Sequence, residues 1–281
     1  MLKQRSYDGS PSLYLIPTPV GNMEDITLRC INTLKFVDLI LCEDTRITSE
    51  LLGKLEIKKK LVHSDDHNED ELKEMVLSKL HEGLNIGLVT DRGTPIISDP
   101  GYKIVEFVSK NGYNVISLPG PTAFVPALTA SGLTPQPFLF YGFLSSKESK
   151  RVKELQCLRK LPYTIIFYEA PHRIESMLQS LLEVFGDRKI ALNREISKKY
   201  EEVIRGSITD VLQIVSDLKG EMVVVVEGNI EQEDYSSITI MEHINIYLDD
   251  GLSEKEAIKK VAVERDIPKS VVYKEYHINN K

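Results

Sequence analysis

The chain has 281 residues, more than one compact core usually holds, and its apolar and charged fractions of 42% and 27% are those of an ordinary globular protein. These figures exclude a disordered, collagenous or coiled-coil chain, and no apolar run approaches the length of a membrane span. The formal net charge of −7 opposes a nucleic-acid partner only as a sum. Seven acids and no lysine or arginine lie between residues 229 and 254 (Glu231, Glu233, Asp234, Glu242, Asp249, Asp250 and Glu254), so the rest of the chain is neutral.

The amino terminus, MLKQRSYDGS, has no apolar signal-peptide core. From there, short apolar runs alternate with amphipathic stretches. LYLI (13–16), DLILC (38–42), NIGLVTD (85–91) and YNVISLP (113–119) read as strands, and 26–36, 67–82 and 101–110 have helical spacing. Strands apolar on both faces and separated by helices predict a parallel sheet covered on two sides. LPGPTA (118–123) interrupts any regular element, which sets a domain boundary after residue 118. A second α/β unit follows over 119–230. Its predicted strands are 137–143, 163–169, 189–195, a segment near 200–205, and 221–228; its predicted helices are 147–160, 172–184 and 207–219. Ser207 and Asp210 form a capping-box pattern for the last helix. The remainder, 231–281, is an acidic linker followed by a helical extension, with Ser253 and Pro268 at N-cap and N1 positions. The expected fold class is therefore α/β: two α/β domains with mainly parallel sheets and a small helical extension.

Three cysteines (Cys30, Cys42, Cys157) without CxxC spacing predict a reduced, cytoplasmic protein with neither disulfides nor structural zinc. Neither GxxxxGK[ST] nor GxGxxG occurs, which removes P-loop and ordinary dinucleotide sites. What remains is a series of glycine- and proline-rich turns at predicted strand ends, the edge where open α/β sheets bind ligands. They are Pro17-Thr-Pro-Val-Gly21-Asn22, Cys42-Glu-Asp-Thr-Arg46, Thr90-Asp-Arg-Gly-Thr-Pro95 with its continuation to Gly101, Pro119-Gly-Pro-Thr122, and Tyr168-Glu-Ala-Pro-His-Arg173. Turns need glycine and proline in any fold, but each of these also carries Asp, Glu, Arg or Thr.

In order and spacing, PTPVGNMEDITLR, CEDTR, TDRGTPIISDPG, LPGPTA and YEAPHRI closely resemble the ribosomal RNA small-subunit methyltransferase I group of the tetrapyrrole methylase superfamily. The resemblance runs from about Leu13 to Gly228 and extends to the helical tail. It implies a class III methyltransferase fold, S-adenosylmethionine as methyl donor in a cleft between the two domains, and usually a homodimer. It also implies 2′-O-methylation of a cytidine in the decoding region of 16S rRNA within the small ribosomal subunit. Carried onto this chain, the donor pocket comprises Pro17, Pro19, Gly21, Asp91, Gly93, Thr94, Ile97, Pro119, Gly120, Pro121 and Thr122, with Tyr168 and Glu169 closing it. The group usually reads Ser-Asp-Ala-Gly-Thr-Pro where this chain has Thr90-Asp91-Arg92-Gly93-Thr94-Pro95, so Arg92 adds bulk and charge beside the donor loop.

A ribose hydroxyl becomes a competent nucleophile when its proton is accepted, so a base is expected near the methyl group. Glu43, Asp44, Glu169 and His172 are the candidates. An ion pair with Arg46 or an N-cap accounts equally for Glu43 and Asp44, and a helix cap or a phosphate contact accounts for His172. Arg46, Arg173 and Arg194 suit RNA phosphates, as does the basic patch of Lys147, Lys150, Arg151 and Lys153; salt bridges and a solvated helix face are the alternatives. His63 and His67 offer metal-ligand types, but a solvated helix start explains them, and no metal site is expected. The tail has a helix-turn-helix look with an acidic preceding helix, so dimerisation or RNA positioning fits it better than DNA. Two other readings stay open: a tetrapyrrole methylase, and a catalytically silent ligand-sensing or DNA-binding protein. Neither a membrane nor DNA is an expected partner.

Overall fold

The computed structural model describes residues 3–6, 8–230, 235 and 238–279. They form two units, residues through Gly228 and residues from Asn229 onward. In the first unit, Ser12–Leu15 (β1), Leu39–Cys42 (β2), Lys60–His63 (β3), Ile86–Leu88 (β4) and Asn114–Ser117 (β5) build one sheet in the order β3-β2-β4-β1-β5. Every pairing is parallel, as the doubly apolar strands predict. Side chains alternate across a strand, so Leu13, Leu15, Leu39 and Leu41 join Val76, Leu80, Ile104 and Val108 in one core. Ile16, Ile40 and Cys42 join Cys30, Leu34 and Leu52 in another. Leu28–Phe36 (α1) and Thr45–Lys54 (α2) thus cover one face, and Glu69–His81 (α3) and Tyr102–Lys110 (α4) cover the other. A parallel sheet sends every strand's carboxyl end to one edge, where the turns after β1, β2, β4 and β5 gather.

The second sheet is mixed. Phe138–Phe143 (β6), Thr164–Glu169 (β7), Lys189–Arg194 (β8), Glu202–Ser207 (β9) and Met222–Val226 (β10) take the order β6-β7-β10-β8-β9. Only β6 and β7 are parallel, and β10 runs antiparallel to both of its neighbours. Burial on two faces does not depend on strand direction, so the run Met222-Val-Val-Val-Val226 marks a central strand without telling how it pairs. One face packs on Glu148–Leu158 (α6), Ile174–Phe185 (α7) and Ile208–Leu212 (α8), through Ile165, Phe167, Val224 and Val226. On the other face, Ile166, Ala191, Val223 and Val225 pack on Ala127 and Leu128 of Phe124–Ser131 (α5). The predicted helix over 207–219 is shorter: α8 ends at Leu212, followed by a 3-10 turn at Val215–Asp217. Its capping box is present, with the Ser207 amide 3.0 Å from the Asp210 carboxylate and the Asp210 amide 3.1 Å from Ser207 Oγ.

The second unit contains three helices, Ile240–Asp249 (α9), Glu254–Glu264 (α10) and Lys269–Asn279 (α11), around Ile244, Tyr247, Ile258, Val261 and Val272. His243, fully buried there, lies 3.0 Å from the Glu264 carboxylate and accepts a bond from Arg265 Nε at 3.1 Å. Of the acidic segment, Glu231, Glu233 and Asp234 lie outside the described residues. Among the described residues, no helix is long and apolar enough to cross a membrane, and no His, Cys, Asp and Glu cluster could hold a metal.

Candidate active site

Three turns at the carboxyl edge of the first sheet are bonded into one surface. Thr18 and Gly93 exchange backbone hydrogen bonds of 2.9 and 3.0 Å. The Thr18 hydroxyl donates to the Thr90 carbonyl at 3.0 Å, and the Thr94 hydroxyl donates to the Pro121 carbonyl at 2.8 Å. Gly120 presses against Pro17 so closely that a Cβ there would stand 2.6 Å from the proline Cβ. Gly93 takes φ +89°, a left-handed conformation that favours glycine, and Ile96 and Ser98 adopt φ 75° and 66° without that freedom. Strain of this kind persists only where the surroundings enforce it and recurs in ligand-binding loops.

Opposite this surface stands the end of β7 with the start of β10. Between them lies a cleft of about 310 Å³. Val20, Gly93, Thr94, Ile97, Ser98, Asp99, Thr122 and Ala123 line it from the loops of the first sheet and the approach to α5, and Phe143, Tyr168, Glu169, Ala170, Pro171, Met222 and Val223 from the second sheet. An apolar wall with a few convergent polar groups is the usual composition of a small-molecule site. A second hollow, containing Asn22, Gly120, Pro121, Val125 and Ser197, shares Val20, Thr122 and Ile196 with the cleft.

Of the residues expected to hold the donor, Gly93, Thr94, Ile97, Thr122 and Tyr168 line the cleft, and Gly120 and Pro121 line the adjoining hollow. Pro17, Pro19, Gly21, Asp91 and Pro119 line neither; Pro17 supports Gly120 from behind, and Asp91 accepts the Asp44 amide at 3.0 Å. Burial raises the Asp91 carboxyl above its ordinary range. The Tyr168 phenol is likewise raised by burial, with Thr122 and the Phe124 amide pulling the other way.

The base candidates separate clearly. Asp44 is both N-cap and ion pair: it accepts the Arg46 amide at 2.8 Å and the Arg46 guanidinium at 3.1 and 2.6 Å, which holds its carboxyl at about 2. Glu43 sits in a separate small hollow with Ser64, Thr90 and Pro100, raised by burial and by Asp91, Asp66, Asp44 and Asp65. His172 is exposed and outside the cleft. Glu169 does line it; its side chain is buried, one oxygen accepts the Ala170 amide at 2.9 Å and lies 3.2 Å from Arg173 Nε, and burial raises its pKa against both. Two further carboxylates line the cleft without having been expected there, Asp99 and Glu221. Asp99 falls inside the IISDPG segment, six residues after Gly93, whereas nothing in the sequence around Glu221 marks it.

Arg92 also lines the cleft and pairs with Glu221, which holds Lys198 at 2.9 Å; Lys198 in turn pairs with Glu195 at 2.9 Å. The charge at position 92 is therefore paired with the opposite wall, while its bulk remains in the cleft lining. The Arg92–Glu221 pair is half exposed, so Arg92→Ala is expected to change the unfolding free energy by less than about 1 kcal/mol in a denaturation experiment.

Most of the guanidinium groups expected on RNA are occupied by the protein itself. Arg151 is 4% exposed and donates to Ser180 Oγ at 2.9 Å and to the Ser176 carbonyl at 3.2 Å. Arg173 donates to the Leu144 carbonyl at 2.7 Å, beside Glu169. Arg194 pairs with Glu202 at 2.5 Å. These three arginines thus make contacts within the protein, the salt-bridge alternative their sequence positions also allowed. Arg46 remains outside, its side chain 89% exposed despite the Asp44 pair, and Lys147, Lys150 and Lys153 are exposed along α6.

An α/β unit of two sheets with a cleft at strand ends defines a class, and comparison with known proteins identifies the family. Residues 12–212 match the family model for tetrapyrrole (corrin/porphyrin) methylases. The fold resembles the methyltransferase CobJ (TM-score 0.60, 17% identity, 78% of this chain and 95% of that one). It also resembles uroporphyrin-III C-methyl transferase from Thermus thermophilus complexed with S-adenyl homocysteine (TM-score 0.57, 20% identity, 77% and 97%). Sequence likeness is far stronger to proteins named ribosomal RNA small subunit methyltransferase I. That of Bacillus subtilis (strain 168) is 46% identical over 98% of both chains, and that of Vibrio cholerae 39% identical over 95% of this chain and 94% of its own. The chain belongs to the tetrapyrrole methylase family and, within it, to the ribosomal RNA small subunit methyltransferase I group.

Proposed function

We propose that the protein is an S-adenosylmethionine-dependent methyltransferase that modifies the ribose 2′-oxygen of a cytidine in the decoding region of 16S rRNA, on the small ribosomal subunit. In this reading it works as a cytoplasmic homodimer. The observation that carries the proposal is the cleft: in a chain 46% identical along nearly its whole length to an rRNA methyltransferase, the glycine- and proline-rich turns converge on a site of small-molecule size.

The cleft suits such a donor. Its apolar walls, Val20, Ile97, Phe143 and Met222, match an aliphatic chain and a base, and Thr94, Thr122 and Tyr168 supply hydrogen-bonding groups. Gly120 lets the backbone of the 119–122 turn approach closely. When bound, the donor supplies an electrophilic methyl group. The chain's own contribution is to align donor and hydroxyl, which is worth roughly 7–11 kcal/mol of barrier, and to exclude water.

The test is transfer of labelled methyl to small subunits that lack the modification, followed by nuclease mapping. Label on one cytidine ribose supports the reading; no label on any rRNA refutes it. Exposed Lys147, Lys150 and Lys153 are assigned to phosphate contacts. Replacing all three with alanine is expected to leave donor affinity unchanged and to lower the slope of log Kobs against log salt for rRNA binding by about 2, the sum of three single-strand contacts.

A further inference from the structure

Three carboxylates line the cleft, in different surroundings. Glu221 is held by Arg92 from the facing loop and by Lys198 of the β8–β9 connection on its own side. Glu169 is 2% exposed, with one oxygen turned to the Ala170 amide and Arg173 and the other buried without a hydrogen-bond partner, so its enclosure keeps it from an incoming ribose. Asp99 differs: among the described residues it takes part in no salt bridge, and it is neither fully buried nor exposed. Its turn is braced from behind, since the Gly101 amide donates to the buried carboxylate of Glu69, and Ile96 and Ser98 hold positive φ immediately before it.

We propose that Asp99 is the proton acceptor for the ribose 2′-hydroxyl, a catalytic residue for the reaction assigned above and dependent on that reading. As an oxygen lone pair forms the bond to the methyl carbon, the carbon–sulfur bond breaks and its electron pair goes to sulfur. The hydroxyl proton moves to the Asp99 carboxylate, so a sulfonium and a carboxylate become a thioether and a carboxylic acid, and charge balances. The surroundings suit that task. Burial raises the Asp99 carboxyl to about 7, and the acids facing it, Glu43 at the end of β2, Asp91 after β4 and Asp66 before α3, oppose its ionisation further. Thr90 pulls the other way more strongly than any one of these acids, and Tyr168 of β7 is the titratable neighbour across the cleft. A base works best when its pKa lies near the working pH. Asp44, held at about 2 by Arg46, is too weak a base, and His172 lies outside the cleft.

The experiment compares the wild-type protein with Asp99→Asn and Asp99→Glu on unmodified small subunits. Asp99→Asn is expected to lower kcat by roughly 100- to 10,000-fold, with donor affinity within about threefold. The wild-type rate should rise with pH to a plateau through an apparent pKa of about 7, a limb absent from Asp99→Asn and partly recovered in Asp99→Glu. A second readout needs no donor. An aspartate ionises near 3.9 when unfolded, so between that value and about 7 the native state binds the extra proton and stability falls as pH rises. The melting temperature of Asp99→Asn should therefore gain on the wild type across that window and stay level above it. Unchanged kcat in Asp99→Asn, persistence of its pH limb, or loss of donor binding in place of turnover would each overturn the proposal while leaving the function intact. A wild-type protein that labels no rRNA overturns both.

Discussion

Gly120→Val is expected to cut methyl-transfer turnover roughly 100-fold, the cost of displacing reacting groups by about 1 Å, and to lower the unfolding free energy by about 1–3 kcal/mol. The reason is local. A side chain at 120 would place its Cβ 2.6 Å from Pro17 Cβ and 2.8 Å from Cγ, and a proline ring cannot rotate away. Either the turn after β1 or the one after β5 must retreat. Retreat of the latter breaks the 2.8 Å bond from Thr94 to the Pro121 carbonyl and shifts Thr122, which lines the cleft. Donor binding by equilibrium dialysis, turnover and denaturant unfolding check this together. Gly53→Ala is the control: it lies in α2, a Cβ there meets nothing within 4 Å, and no effect on turnover is expected.

Arg151→Ala is expected to destabilise the protein by about 2–4 kcal/mol, because truncation leaves a cavity and strips partners from buried polar groups. Ser180 Oγ and the Ser176 carbonyl lose donors at 2.9 and 3.2 Å. For a unit of this size the melting temperature should fall by roughly 5–15 °C. Lys150→Ala and Lys153→Ala, on the exposed side of the same helix, should leave it unchanged. An Arg151→Ala protein that melts normally but loses rRNA affinity would restore the arginine to the RNA-binding surface.

Arg151 also shows where sequence reading succeeds and where it stops. Composition marked residues 147–160 as basic, and the structure leaves its four lysines exposed. The arginine, however, stands four residues before Leu155 and seven before Leu158, the apolar face of the helix, and both leucines are buried with it. That spacing was legible; charge obscured it. The parallel first sheet was legible because its strands are apolar on both faces. β3 was not, since Lys60-Leu-Val-His63 is a short edge strand with exposed ends. α2 begins within the Cys42–Arg46 turn and mixes polar with apolar residues, and α5 carries Pro126 in its first turn and no polar face to set a period. At the site, motif spacing located the turns, but which carboxylate faces the cleft depends on backbone angles at Ile96 and Ser98 that no residue type there would suggest.

The strand order of the first sheet has a consequence for how the protein is made. β1 lies between β4 and β5, and Leu13 pairs with Ile86 on one side and Val115 on the other. During synthesis at roughly 5–20 residues per second, β1 therefore waits about 4–15 s before its first neighbour is even translated. β2 and β3, by contrast, pair across a short connection and can form early. Of the strands in this sheet, β1 leaves the ribosome before the neighbours that enclose it, and through that interval both of its edges, with unpaired N–H and C=O groups, and its apolar faces are open to nascent-chain chaperones and to association with other chains.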